Sequence, residues 1–212
     1  MRRWRTVALP LALAACVRSE RAAPPPRALA GPSVRETRAC FADLARMGVR
    51  FTPLPDRVTG PGCGLVGAVR LDDIGVPVTG LGAVRCGEAR AFAGWVRNAA
   101  VPAAYQLLGS ELARVDTFGS YACRNVFGAR GGDRRSGHAL ANAIDVGGFV
   151  LRDGRRVTVL DDWTSPDPAI ARFLQTVHTS ACRRFGTVLS PDYNAAHRNH
   201  LHLEDDRANL CR

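Results

Sequence analysis

Cysteine usage constrains the fold of this chain more than any other feature of its sequence. Seven cysteines occur among the 212 residues, and six of them lie from position 40 onward: Cys40, Cys63, Cys86, Cys123, Cys182 and Cys211. In an oxidising compartment an even set of this kind is typical of three disulfides, which six cysteines can form in fifteen ways. Cysteine-ligated zinc is the alternative, but the sequence has no Cys-x-x-Cys pair and the spacings are wide. We therefore expect an exported domain held together by three disulfides, with the pairing left open.

The seventh cysteine, Cys16, ends an N-terminal stretch typical of an export signal. Three arginines among the first five residues precede a short apolar segment over residues 6–15, which is too short to be a transmembrane helix. The segment ends in Leu-Ala-Ala-Cys, which resembles the bacterial lipobox. We therefore expect residues 1–15 to be a lipoprotein signal peptide and Cys16 to carry a membrane anchor of more than one acyl chain. The alternative is an ordinary signal peptide in which this cysteine occurs by chance.

The lipobox interpretation predicts a location in the cell envelope. Val17, and not an aspartate, follows the expected anchor, and the bacterial sorting pattern then implies the outer membrane, with the protein facing the periplasm. Residues 16–34 are rich in Pro, Ala and Arg, a composition typical of an extended linker. We expect one folded domain over residues 35–212.

Within that domain, apolar periodicity predicts a mixture of helices and short strands. Helices are predicted over residues 35–47, 88–99 and 168–185, where apolar residues recur at helical spacing. Strands are predicted over residues 67–71, 112–121, 143–151, 156–160 and 200–203, and Asp153-Gly154 predicts a hairpin between two of them. Helices and strands do not alternate as in βαβ units, so we expect an α+β fold with a small antiparallel sheet and flanking helices.

Composition excludes one class of protein and argues against a second. No apolar run reaches the roughly 18 residues that a membrane-spanning helix needs. The formal net charge is +10, and every basic residue is an arginine, but the arginines are spread along the chain and do not form the clustered patch typical of nucleic-acid binding. We therefore expect neither an integral membrane protein nor a nucleic-acid partner.

Four of the five histidines lie in two compact groups. His138 precedes Asp145 by seven residues, and the second group is His197, His200 and His202. Side chains two apart on a strand point the same way, so the last two histidines of that group can address one point, whereas we expect the first to lie on the preceding loop. The small residues on either side of Asp145 leave room for an ion.

Two histidines and one carboxylate are typical of catalytic zinc, because they leave one coordination position open. A water in that position has its pKa lowered toward about 7 and becomes a nucleophile at neutral pH. The alternative is a set of surface or core histidines with no shared role. For the fifth histidine, His178, which lies next to the buried stripe of the third helix, we expect a structural role.

These residues resemble known families. The segment from Ser136 to Asp145 is similar to the Ser-x-His-x-x-Gly-x-Ala-x-Asp motif of zinc D-Ala-D-Ala peptidases, and His197-x-x-His200-x-His202 is similar to the C-terminal motif of penicillin-insensitive murein endopeptidases. Further segments at residues 62–64, 121–124 and 188–194 resemble the bacterial extensin-like C-terminal domain family. The resemblance covers nearly the whole folded region and implies a disulfide-stabilised, Hedgehog/DD-peptidase-like zinc fold.

The resemblance also implies a role for each matching residue. The implied Zn²⁺ ligands are His138, Asp145 and His202. The implied catalytic residues are His200, as base or transition-state stabiliser, and His197, which would orient the site or the substrate. The implied substrate contacts are Ser136 and Arg124, the latter through the planar fork that an arginine offers to a carboxylate.

The chain departs from the motifs at two positions. Ala141 replaces the glycine of the first motif, a change that is harmless if the backbone there has a negative φ. Asn199 stands where the dipeptidases have a glutamate base, three residues before the last histidine ligand. Glu204 would share a strand face with His202 but lie beyond it, so we do not expect it to be the base.

Taken together, the motifs and the expected anchor predict a zinc-dependent hydrolase of peptide bonds in bacterial peptidoglycan, acting on its peptide stems or cross-links. Because of Asn199, the alternative is a catalytically inactive wall-binding or scaffolding lipoprotein with the same fold. A metal-dependent esterase or amidase acting on another envelope polymer is a third, weaker hypothesis.

Overall fold

A computed structural model of the chain describes residues 1, 29, 31–126 and 134–212. Cys16, the expected signal peptide apart from Met1, and most of the expected linker lie outside these residues. In the described part of the chain the strands are β1 (Arg50–Pro53), β2 (Arg57–Gly60), β3 (Cys63–Leu65), β4 (Ala68–Asp73), β5 (Val78–Thr79), β6 (Ala83–Arg85), β7 (Leu112–Gly119), β8 (Ala143–Leu151), β9 (Arg156–Thr158), β10 (Thr187–Leu189), β11 (Leu201–Glu204) and β12 (Leu210–Cys211). The α-helices are α1 (Val34–Arg46), α2 (Cys86–Trp95), α3 (Val101–Leu108), α4 (Val159–Asp162) and α5 (Pro168–Cys182).

The first helix begins where the sequence predicts it, because a capping box defines its start. The hydroxyl of Ser33 accepts from the backbone N–H of Glu36 at 3.3 Å, and the Glu36 carboxylate accepts in return from the Ser33 N–H at 2.7 Å. Two otherwise unpaired donors are thereby satisfied. The helix then packs Cys40 and Leu44 into the core.

The second predicted helix is longer than its periodicity indicates. It starts at Cys86, widens into a π-helical turn over Val96–Ala100, and continues as α3 to Leu108, before the left-handed Gly109. Pro102 lies in the first turn of α3, and because proline has no N–H, it interrupts the α-helical hydrogen bonding just where the wide turn occurs. The predicted end at residue 99 is therefore wrong.

Two other predicted boundaries are also wrong. The strand predicted over residues 156–160 ends at Thr158, whose hydroxyl accepts from the Asp161 N–H and so caps α4. The third predicted helix ends at Cys182, three residues early. The predicted hairpin is present, since β8 and β9 pair antiparallel across a left-handed Gly154.

The strands form three sheets, and most pairs are antiparallel. A seven-stranded sheet has the order β12-β10-β11-β8-β7-β5 with β9 also pairing β8, while β1-β4-β6 and β2-β3 form two smaller sheets. Two pairs of the large sheet, β5 with β7 and β10 with β12, are parallel. The α+β class is confirmed, and the main sheet is larger and more mixed than expected.

Helices α2 and α5 pack on one face of the seven-stranded sheet. Ile144 and Val146 of β8 and Leu201 and Leu203 of β11 are buried in the same core as the residues of α2 and α5. Trp95 is fully buried in that core, where its indole N–H donates to the carbonyl of Val177 at 3.0 Å. Because strand side chains alternate, the residues between these positions point to the opposite face.

Three disulfides link the described elements, as the cysteine count predicts. They pair Cys40 with Cys86, Cys63 with Cys123, and Cys182 with Cys211. None of the helices in the described ranges is both long enough and apolar enough to cross a membrane.

Candidate metal centre

The site is built on two neighbouring strands whose registers place its residues opposite each other. Asp145 of β8 and His202 of β11 are direct partners across the antiparallel pair, and His202 Nδ1 lies 2.8 Å from Asp145 Oδ1. His200, just before β11, points to the same place, with its Nε2 3.4 Å from Asp145 Oδ1. The prediction that residues 200 and 202 share a face is therefore confirmed in geometry.

His138 reaches the same point from a short 3-10 turn over Gly137–Leu140. The turn is attached to the end of β7, because the Ala122 N–H donates to the His138 carbonyl at 3.1 Å. His138 Nδ1 lies 3.3 Å from the Ser120 carbonyl, to which its N–H donates, so Nε2 faces the site. That nitrogen lies 3.1 Å from Asp145 Oδ2 and 3.2 Å from His202 Nδ1.

The spacing of these donor atoms fits a small tetrahedral cation. Zinc bonds of 2.0–2.1 Å place tetrahedral ligand atoms about 3.3 Å apart, and the three separations between His138, Asp145 and His202 are 3.1, 3.2 and 2.8 Å. His138 and His202 are buried, and the side chain of Asp145 is 13% exposed. Nitrogen and carboxylate donors are those that zinc prefers, so the residues fit the expected ion.

The electrostatics of the three residues favour a positive charge between them. Burial by itself would raise the pKa of Asp145, but its contacts with His138 and His202 outweigh burial and hold that pKa far below its ordinary value. For His202, burial by itself would lower the pKa, but hydrogen bonds to Asp145 and Glu204 outweigh burial and raise it to about 9. A bound cation would take the place of a proton on this ring.

Whereas the contacts of His202 favour a positively charged ring, the surroundings of His200 and His197 favour the neutral ring. Burial lowers the pKa of both rings, that of His197 to about 4, and the positive charge of Arg124 adds to the effect. His200 Nδ1 donates to Asn199 Oδ1 at 2.9 Å, and His197 Nδ1 donates to Asn194 Oδ1 at 2.8 Å. Each ring therefore keeps an unprotonated Nε2 that can accept a proton.

His197 lies on a 3-10 turn, as expected of a residue before the strand. Its ring centroid is 5.2 Å from that of His200 and 5.7 Å from that of His202. Donor atoms of these three histidines lie within 4.8 Å of one another. All of the predicted histidines of the site are thus brought together.

A cavity of about 290 Å³ opens over the histidines. Arg124 and Ser136, the two predicted substrate contacts, both line it. They come from neighbouring segments, since the Ser136 N–H donates to the Arg124 carbonyl at 3.2 Å. A positive side chain and a buried hydroxyl therefore border the candidate metal centre.

Two exposed aromatic side chains, which the sequence did not single out, stand beside the histidines. Phe118 packs its ring edge-on to His200 at a centroid distance of 6.1 Å, and Tyr193 packs on His197 at 5.6 Å. Phe118 lies so close over Gly147 that a Cβ there would be 2.6 Å from the ring. The expectation of open space beside Asp145 is met only in part, because the Phe118 ring occupies the space over Gly147.

An alanine in place of the motif's glycine is harmless only where φ is negative, and Ala141 does not meet this condition. Its φ is +53°, in the left-handed region, where a non-glycine residue costs about 1–2 kcal/mol. The methyl group is fully buried beside Leu65 and Ala68, which offsets part of that cost. The motif's preference for glycine thus has a backbone cause that the sequence alone did not reveal.

Glu204 is closer to the centre than the sequence indicates. Its Oε1 lies 2.7 Å from His202 Nε2, the ring nitrogen that faces away from Asp145. Strand alternation had placed these two residues on one face, and that signal was present in Leu-His-Leu-Glu. Only the rotation of the histidine ring brings the carboxylate into contact.

His178 lies apart from this group. Its ring packs on Trp163 at 5.5 Å, and its Nε2 is 3.7 Å from the sulfur of Cys182. Both nearby cysteines are joined in a disulfide, so they offer no thiolate to a metal. Its surroundings are those of a packed structural side chain.

Comparison with protein families adds one finding. Residues 38–212 match the model of the family described as extensin-like protein C-terminus. The chain belongs to this family. The extensin-like match includes every residue of the candidate metal centre, from Ser120 to Glu204. No significant match was found among the curated proteins or among the solved structures.

Proposed function

We propose that this extensin-like domain is a zinc-dependent hydrolase of peptide bonds in bacterial peptidoglycan. The observation that supports the proposal most strongly is the convergence of His138, Asp145 and His202 at the separations of tetrahedral ligands, next to a cavity that His202 lines. The resemblance of these residues to zinc D-Ala-D-Ala peptidases and murein endopeptidases supplies the reaction class. We also propose that the fold is of the Hedgehog/DD-peptidase type.

His138, Asp145 and His202 would hold the ion. Zinc at such a site polarises a carbonyl group and makes water a nucleophile at neutral pH. His200, with its neutral ring and unprotonated Nε2, would accept a proton from the attacking water and return it to the leaving amine. Its Nδ1–H bond to Asn199 fixes that tautomer, so Asn199 supports the base where the dipeptidases have a glutamate.

The substrate would be held by charge. Stem peptides carry free carboxylates, and Arg124 at the cavity presents a guanidinium that can pair with one of them. Without residues 1–15, which carry three arginines and no acidic residue, the net charge is +7, and it favours approach to an anionic polymer. Export, with a lipid on Cys16 at the outer membrane, would keep the domain beside the wall.

The direct test is to incubate the purified protein with muropeptides, with and without a chelator. Wild type should release products that chelation abolishes and zinc restores, and His202→Ala should release none. His178→Ala is the matched control, because that histidine packs on Trp163 away from the centre, and it should retain activity. Absence of a metal-dependent product from any cross-linked or pentapeptide substrate would refute the proposal.

Asn199 in place of a glutamate favours one alternative, a wall-binding or scaffolding lipoprotein that binds metal without catalysis. This alternative predicts one zinc per chain and binding to sacculi without hydrolysis. Turnover that is abolished by His200→Ala would reject it.

A further inference from the structure

The carboxylate of Glu204 links the two segments that carry the candidate ligands. Its Oε1 lies 2.7 Å from His202 Nε2, and its carboxylate packs directly against Gly137. Gly137 directly precedes His138. One side chain, only 19% exposed, therefore contacts the segment of the first ligand and the ring of the third.

The contact with Gly137 leaves no room for a larger residue there. A Cβ at this position would lie 2.5 Å from Glu204 Cδ and 2.6 Å from both carboxylate oxygens. The carboxylate thus packs on the glycine backbone and has little freedom to turn away from His202. This close contact is the physical reason for a glycine at position 137. Its backbone conformation is not the reason, since Gly137 is not among the residues with positive φ.

The contact with His202 determines which ring nitrogen faces the site. A neutral histidine carries one proton, and the nitrogen that donates elsewhere cannot bind a metal. Because His202 Nε2 donates to Glu204, the nitrogen left as a ligand is Nδ1, which faces Asp145 and His138. A carboxylate behind a histidine ligand also raises the basicity of the ring.

We propose that Glu204 is a positioning residue that holds His202 in the tautomer and ring orientation required to bind a metal through Nδ1. Glu204 contacts the ring on the nitrogen opposite to Asp145, so it acts through His202 and does not touch the reacting atoms. The inference rests on the proposed metal centre and does not depend on which bond is cleaved.

The test measures metal affinity and coordination in the full chain, independently of hydrolysis. Zn²⁺ affinity is measured by competition with a chelating dye, and Co²⁺ serves as the spectroscopic probe. Removal of an outer carboxylate of this kind weakens metal binding roughly 10- to 100-fold, and we expect Glu204→Ala to do so with a changed Co²⁺ absorption spectrum. Nitrogen NMR of the zinc form should show Nδ1 of His202 as the metal-bound nitrogen in wild type and a mixture of tautomers in the variant.

Two further variants and one control variant separate positioning from a loss of folding. Glu204→Gln can still accept from His202 through its amide oxygen, so we expect an intermediate affinity and the wild-type nitrogen pattern. Gly137→Ala keeps the carboxylate but displaces it, and should weaken metal binding as Glu204→Ala does. Asp206→Ala is the matched control, since that carboxylate borders the same cavity but accepts from Thr187 at 2.9 Å, and it should bind metal as wild type does.

Failure of the inference differs from failure of the proposed function. If wild type takes up Zn²⁺ and Glu204→Ala binds it within threefold with an unchanged Co²⁺ spectrum, the positioning role is refuted while the metal centre stands. If wild type binds no Zn²⁺ or Co²⁺, both are refuted. Metal binding with the expected loss in Glu204→Ala supports the inference even where no muropeptide is cleaved.

Discussion

Removal of the Cys63–Cys123 disulfide should loosen the candidate metal centre as well as the fold. The bond joins positions 60 residues apart and anchors the segment around Cys123. From this segment the Ala122 N–H donates to the carbonyl of His138, and the Arg124 carbonyl accepts from the N–H of Ser136. Closing a loop of that length stabilises the folded state by about 4.3 kcal/mol on the chain-entropy estimate. For a domain of this size the loss corresponds to a fall in Tm of roughly 9–17 °C.

The matched control is the Cys40–Cys86 bond, which joins α1 to the first residue of α2 across 46 residues. The same estimate predicts a loss of about 4.0 kcal/mol when it is removed. Both double cysteine-to-alanine variants are compared by urea unfolding, and amide hydrogen exchange is followed at Ala122 and Ser136. The two variants should lose similar stability, but only Cys63→Ala with Cys123→Ala should accelerate exchange at those two amides beyond the global effect.

Either of two results would contradict this reasoning. A loss below about 1 kcal/mol for the Cys63–Cys123 pair would mean that loop closure contributes little to stability here. Equal exchange at Ala122 and Ser136 in the two variants would mean that the disulfide does not brace the segment that carries His138.

Two other perturbations are expected to have measurable effects. Burial and the nearby carboxylates of Asp205 and Glu204 raise the pKa of Glu88 well above its ordinary 4.5, so this acid destabilises the fold as pH rises above that value. In urea titrations, Glu88→Gln should therefore be as stable as wild type near pH 4 and more stable than wild type toward pH 8. The difference should be about 1.4 kcal/mol for each unit by which the pKa is raised. Zinc at 100 times its Kd should stabilise the wild type by about 2.7 kcal/mol, or roughly 5–11 °C in Tm. Asp145→Asn should lose that zinc-dependent shift in thermal melts, and a shift equal to that of wild type would exclude Asp145 as a ligand.

Local patterns predicted the parts of the site that depend on a few consecutive residues. Alternation along a strand was enough to orient His200 and His202 together, because side chains two apart must share a face. The even cysteine count predicted three disulfides. The end of the second predicted helix and the end of β9 were missed, and α4 was not predicted, because a π-helical turn and a side-chain cap override simple periodicity.

What the sequence by itself determined is the set of chemical groups and their local directions: six cysteines that pair, histidines and an aspartate that can bind a cation, and alternating faces on the strands. Tertiary structure decided which of these groups meet. His138 and His202 are 64 residues apart, and their contact depends on the register of β8 against β11 and on the backbone bond that attaches the 3-10 turn to the end of β7. The pairing of cysteines, the left-handed backbone at Ala141 and the contact of Glu204 with Gly137 follow from the same long-range packing, since each depends on atoms that only the folded chain brings within reach.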